Sequence, residues 1–174
     1  MAQTASWMEV AVKKYLVLLL ATAAVSAGGL SLWGQLDDTA PFPKEFRNWA
    51  HVKSVLVGPQ SGAFATEGGI HHIYANEKAL EGYRTSKFPD GSVIVYDLLE
   101  TREIAGNIIE GPTRRIDVMV KQGELYRTTG GWKFMRFPGG DPTDGKLTAE
   151  RQAGCAACHA KRKDHDFVFS EFRK

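Results

Sequence analysis

Residues 87–100 read KFPDGSVIVYDLLE, and the fold turns on how they are parsed. Pro89-Asp90-Gly91 is a turn signal, because Pro presets one backbone angle, Asp bonds its own backbone and Gly tolerates a reversal. SVIVYDLL behind it is dense in β-branched and aromatic residues and is the strongest strand of the chain. Upstream, VKSVLV (52–57) and IHHIYA (70–75) read as strands, with the Gly- and Ser-rich GPQSGAFATEGG (58–69) as the loop between them. NEKALEGYR (76–84) puts helix formers behind Asn76, a good N-cap. Downstream, RRIDVMVK (114–121) alternates after a Gly-Pro break, and QGELYRTTGGWKFMRF (122–137) predicts two more strands around Gly130 and Gly131. PGGDPTDG (138–145) is loop, and LTAERQAGCAACHAK (147–161) switches to helix behind Thr148. The expected class is α+β: mainly antiparallel sheet, a middle helix, and a C-terminal helix.

The chain has 174 residues, 43% of them hydrophobic and 24% charged, with a formal charge of +2. That is ordinary globular composition, and no basic surface points to nucleic acid. Two cysteines cannot staple a fold, so the core must come from burial. At the N-terminus, Lys13 and Lys14 precede YLVLLLATAAVSA. Charge, apolar run and small-residue exit are the order of a signal peptide, with a cut after Ala27. The other reading is an uncleaved anchor, since residues 15–34 carry no charge and about 20 apolar residues span a bilayer. Either way the lysines stay inside and the body is exported, to the periplasm. The expected organisation is residues 1–27 as signal or anchor, 28–44 as linker and 45–174 as the folded domain.

The functional signal is GCAACHA (154–160). Cys155, Cys158 and His159 make C-x-x-C-H, the attachment pattern of c-type haem. Positions i, i+3 and i+4 share one helix face, so two thiols reach the vinyl groups on one haem edge. The adjacent imidazole then reaches the iron. A zinc site would need a second Cys/His pair, and a thioredoxin-like pair would be expected near a βαβ start. A disulfide between the two cysteines or a pair of free thiols is the remaining alternative. One covalently bound haem c is the cofactor expected. Only 15 residues follow His159, so the pocket is built almost entirely upstream of the motif.

Three stretches carry a family resemblance: HHIYANEKALEGYRTSKFPDGSVIVYDLLE (71–100), IDVMVKQGELYRTTGGWKF (116–134) and CAACHAKRKDHDFVFSEF (155–172). They resemble the cytochrome P-460 family, which includes the sheet-built cytochromes c′-β, over roughly residues 45–172. The resemblance implies a mainly antiparallel sheet with helices, often dimeric. It implies Cys155 and Cys158 as thioether positions, His159 as proximal iron ligand, and a sixth position that is open or weakly held. Within the family, the P-460 enzymes cross-link a lysine to the haem and oxidise hydroxylamine. The c′-β members lack the cross-link and bind nitric oxide or other diatomics in an apolar pocket. Here Lys87 is the only lysine in the matching interval, one residue before the turn, while Arg84 stands where the lysine is expected.

Other distal candidates follow from the chemistry. Hydroxylamine oxidation releases protons, so a carboxylate base would serve it, and Glu110 and Asp117 are the candidates, each also expected as a strand-end charge. His71 and His72 should take opposite faces of a strand. Met119 and Met135 could ligate iron weakly or fill the core. Phe88, Phe134, Phe137 and Trp132 could wall a pocket or pack in the core. Phe167, Val168 and Phe169 are expected near the haem, and the KRKDHD turn (161–166) is expected to be solvated, with His165 in it a weak ligand candidate. Two functions compete: an exported mono-haem cytochrome that binds, or also oxidises, a small nitrogen species, and a periplasmic electron carrier without substrate chemistry. Both would use an electron-transfer partner protein.

Overall fold

The computed structural model describes residues 42–145 and 147–172. The signal or anchor segment, and all but the end of the linker, lie outside the described residues. The chain divides into two units, residues 1–38 and 39–174, and everything below concerns the second. Among the described residues no helix is long and apolar enough to cross a membrane.

Five strands form one antiparallel sheet in sequence order: β1 (Ala50–Val57), β2 (Gly69–Ala75), β3 (Val93–Ile104), β4 (Asn107–Lys121) and β5 (Trp132–Pro138). A one-turn helix α1 (Phe64–Glu67) sits in the first loop, and α2 (Glu77–Thr85) joins β2 to β3. The last helix, α3 (Ala149–His159), runs into a 3-10 turn over Ala160–His165. The expected class holds, and the sheet is a simple meander in which each strand pairs with the next in sequence.

The sheet is covered on both faces, which explains why VIV in β3 is nearly continuous in hydrophobicity. One face packs Ile73, Ile94, Met119, Trp132 and Phe134 against Ala79, Phe88, Ala156 and Val168 from the helices and the C-terminal segment. The other packs Val95, Ile116, Val118, Met135 and Phe137 under Phe42, Phe46 and Trp49. Met119 and Met135 therefore belong to different cores, and Phe137 lies on the face away from α3.

α2 is fixed at its start by Asn76. Its Oδ1 accepts from the Ala79 and Val93 N–H groups at 2.9 and 3.0 Å, and its Nδ2 donates to the Gly91 carbonyl at 2.9 Å. One side chain thus ties the helix to the Pro-Asp-Gly turn and to β3. Two expectations need correction. Gln122–Arg127 is not a strand: Tyr126 N–H donates back to the Gln122 carbonyl and Gln122 N–H to the Gly131 carbonyl, closing a compact turn before a 3-10 helix over Arg127–Thr129. And TREIAGNII (101–109), which carried no assigned structure, extends β3 and β4 into a long hairpin.

Candidate functional site

α3 starts on Thr148, whose Oγ1 accepts from the Arg151 N–H at 3.3 Å. Alanines then carry the helix to the motif. Cys155 is half-buried and Cys158 exposed, and both are free thiols. Burial pushes the Cys155 thiol up. His159 closes the helix, with its ring between Phe134 and Phe169, each 5.1 Å away centroid to centroid.

The chain then reverses. Asp166 and Phe167 adopt left-handed angles, φ 48° and 67°, and this brings the Phe167 carbonyl back onto His159. His159 Nδ1 lies 2.7 Å from that oxygen. A carbonyl can only accept, so Nδ1 carries the proton and the neutral ring presents a bare Nε2. Nε2 has no protein partner among the described residues. Burial holds the His159 pKa down, only partly opposed by the Phe167 bond and by the charge of Asp117. A neutral imidazole with one nitrogen oriented by a carbonyl is the usual state of a metal-bound histidine.

The reversal is held by Asp166, which sequence reasoning left in a solvated turn. Its Oδ1 accepts from Lys121 Nζ at 2.6 Å, its Oδ2 from the Phe88 N–H at 2.9 Å, and its carbonyl from Trp132 Nε1–H at 2.8 Å. Lys121 also lies over the Trp132 ring, 5.0 Å from its centre. Gly130 completes the seat: with φ +72°, it leaves room for the Phe167 ring, which a Cβ would meet at 2.4 Å.

On the same side of the sheet, Asp117 is gripped by two arginines. Arg115 Nε donates to Oδ2 at 2.9 Å, and Arg136 donates to Oδ1 and Oδ2 at 2.6 and 2.9 Å. The network continues from Arg115 to Glu67 at 2.6 Å, from Glu67 to the Tyr96 hydroxyl at 2.7 Å, and from Tyr96 to His71 Nδ1 at 3.0 Å. Burial and the Glu67 bond push the Tyr96 phenol up, and burial pushes His71 down. Burial alone would lower Arg115, but the bonds and charges of Asp117 and Glu67 outweigh it and hold the guanidinium charged. The signal for this cluster was present in RRID: residues 115 and 117, two apart on a strand, share a face. Glu67 and Arg136 reach it only through the register.

The other candidates are dispersed. Glu110 lies on the opposite face of the sheet, where its Oε1 meets His72 Nε2 at 2.7 Å, and His72 Nδ1 meets Ser54 Oγ at 2.6 Å. His71 and His72 do take opposite faces. Lys87 is exposed, between the left-handed Ser86 and the buried Phe88. His165 Nδ1 donates to the Val168 carbonyl at 2.8 Å. A groove of about 600 Å³ runs along the alanine face of α3, past Tyr126, Ala153, Ala157 and Phe167, and includes neither cysteine nor His159.

Two thiols one turn apart and an imidazole with an unengaged nitrogen, on one helix packed on a sheet, fit haem c in donor type and spacing. They define a class: a c-type cytochrome whose attachment helix packs on an antiparallel sheet rather than in a helical bundle. The family model described as Cytochrome P460 matches residues 43–170, and the chain belongs to that family. No curated protein matches the chain. Membership implies a mono-haem c-type cytochrome and haem c as cofactor.

Proposed function

We infer that this cytochrome is exported, carries its haem on thioethers from Cys155 and Cys158 with His159 as the proximal ligand, and binds a small nitrogen species such as nitric oxide or hydroxylamine. When bound, haem supplies an iron that can change oxidation state and take a diatomic or amine ligand. The protein's part is to hold and orient. The observation that carries the reading is the Phe167 carbonyl on His159 Nδ1, which sets the tautomer and leaves Nε2 for a metal. The hydrophobic segment before Ala27 supports export to the periplasm, with or without retention as an anchor, and an electron-transfer protein there would exchange electrons with the haem.

Binding without oxidation is the reading the carboxylates favour. A base for hydroxylamine needs a free acceptor on the α3 side of the sheet. Asp117 is on that side, but both its oxygens accept from arginines, and Glu110 is on the other face. Lys87, the one cross-link candidate, is exposed.

A ferrous absorption spectrum of the exported protein, with and without nitric oxide, tests this. A five-coordinate spectrum that shifts on adding nitric oxide is expected. A strongly red-shifted Soret band, with extra covalent attachment after denaturation, would replace binding by the cross-linked oxidase. A six-coordinate low-spin spectrum indifferent to ligand would leave a plain electron carrier.

A further inference from the structure

On the face of the sheet away from α3, side chains from β1, β2 and β4 stand in one hydrogen-bonded line. Ser54 and His72 are register partners on β1 and β2. Ser54 Oγ lies 2.6 Å from His72 Nδ1, and His72 Nε2 lies 2.7 Å from Glu110 Oε1. On β1 itself, His51 Nε2 lies 2.8 Å from the same Ser54 oxygen. A β-bulge makes this meeting possible. His51 pairs with Tyr74 and Lys53 with Ile73, so β1 carries one extra residue, Val52, over that step. Without it Lys53 would stand opposite His72, and Ser54 would stand opposite His71 on the other face. The bulge re-aims the strand, so that His51 and Ser54, three residues apart, share a face.

The protons follow from the acceptors. A carboxylate only accepts, so His72 Nε2 carries the ring proton and Nδ1 is bare. A bare nitrogen only accepts, so the Ser54 hydroxyl donates to it, and the Ser54 oxygen accepts from His51 Nε2–H. A hydroxyl aimed at a bare imidazole nitrogen, with the far nitrogen held by a carboxylate, is the arrangement that activates a serine as nucleophile. Tyr74 limits both rings, its own ring lying 5.7 Å from that of His51 and 6.2 Å from that of His72. Ser54 is exposed on an edge strand, while the His72 side chain is 16% exposed. The nucleophile is thus open to solvent and its base is mostly covered.

We propose that Ser54, His72 and Glu110 form a second reactive site, which takes the acyl group of a small activated ester onto Ser54 and passes it to water. Ser54 Oγ attacks the ester carbonyl carbon as its proton moves to His72 Nδ1, and Glu110 balances the charge of the imidazolium. His51 Nε2–H, released as Oγ bonds to carbon, donates to the carbonyl oxygen as that becomes negative. The bond from carbon to the leaving oxygen then breaks, and the proton on His72 goes to that oxygen. Water attacks acyl-Ser54 with His72 again as base, which releases the carboxylic acid and restores the Ser54 hydroxyl. The two steps are balanced without oxidant or reductant, and the haem takes no part. The site lies open on the surface, so its substrates are esters with a small acyl group and a good leaving group.

The test gives the haem-loaded, exported protein p-nitrophenyl acetate and reads released nitrophenol by chromatography, because haem absorbs in the same region. A fluorophosphonate probe, followed by peptide mapping by mass, then locates the nucleophile. Turnover is expected, with phosphonylation at Ser54. Ser54→Ala and His72→Gln should each lose hydrolysis by at least about tenfold, and His72→Gln should also lose the label. The haem spectrum and far-ultraviolet circular dichroism should stay unchanged in both, which excludes misfolding. Hydrolysis that survives in Ser54→Ala overturns the proposal, since a bare imidazole then does the work alone. So does a probe that labels a residue other than Ser54, or a rate no greater than that of imidazole at equal concentration. None of these readouts depends on what the haem binds.

Discussion

Asp166 spends one residue's worth of polar groups on three distant segments: the N–H of Phe88, the ammonium of Lys121 and the indole of Trp132. Its carboxylate and the Lys121 head are nearly buried, at 13% and 11% exposure. Removing one partner of a buried pair strands the other charge, which costs about 3–5 kcal/mol. Asp166→Ala should therefore lose about that much in urea unfolding, and Asp166→Asn less, because the amide still accepts from Phe88 and Asn tolerates the left-handed angle. If alanine costs under about 1 kcal/mol, the clamp is not what holds the turn. In the sequence Asp166 sits inside KRKDHD, where a solvated turn is the natural reading. Its partners lie 34 to 78 residues away, and no local pattern points to them. The cysteines and His159 were legible for the opposite reason, since their chemistry depends on spacing within five residues.

At the scale of elements, α2 packs closely on the segment that joins it to β3. Gly82 lies against the Phe88 ring, and a Cβ there would come 2.1 Å from Phe88 Cδ1. Helix propensity alone would make Gly82→Ala about 1 kcal/mol more stable. Overpacking of a core aromatic opposes it by about 1–3 kcal/mol, so the variant should melt lower, and an unchanged or raised Tm would show that Phe88 yields. The elements themselves were largely readable. Runs of β-branched and aromatic residues placed β1, β2 and the inner part of β3, alternation placed that of β4, and the caps at Asn76 and Thr148 placed both long helices. The compact turn over 122–127 was misread because Leu125 and Tyr126 resemble the apolar part of a strand, while its hydrogen bonds run back on themselves. The outer hairpin was missed because TREIAGNII mixes charges with a Gly, and its pairing needs the register that the inner strands impose.

On the scale of the whole molecule, acid stability should report on Asp97. This carboxylate is 1% exposed, paired to Arg47 at 2.8 Å, and its Oδ1 has no hydrogen-bond partner among the described residues. Burial pushes its pKa up, against the opposing pull of Arg47 and His72, with Glu110 adding to the rise. Tyr74 shares the same face, its phenol also pushed up, by burial and by Asp97. A raised carboxyl binds its proton more tightly when folded than when unfolded. Its contribution is present below the ordinary Asp value of 3.8 and is lost as pH rises through the folded value. Relative to Asp97→Asn, the wild type should thus gain stability as pH falls from 7 toward 4, by about 1.4 kcal/mol per unit of elevation. Paired thermal melts across that range check it; a gap that stays constant or narrows the other way would mean Arg47 wins.

The sequence by itself determined the covalent motif, the alternation of a sheet and the two capped helices, because each is written in residues a few positions apart. Only the tertiary structure decided which carboxylate shares a face with His159, which aspartate clamps the turn behind it, and which serine stands between His51 and His72. Those depend on pairing register and on the reversal at Asp166–Phe167, where residues dozens of positions apart are brought within hydrogen-bond reach.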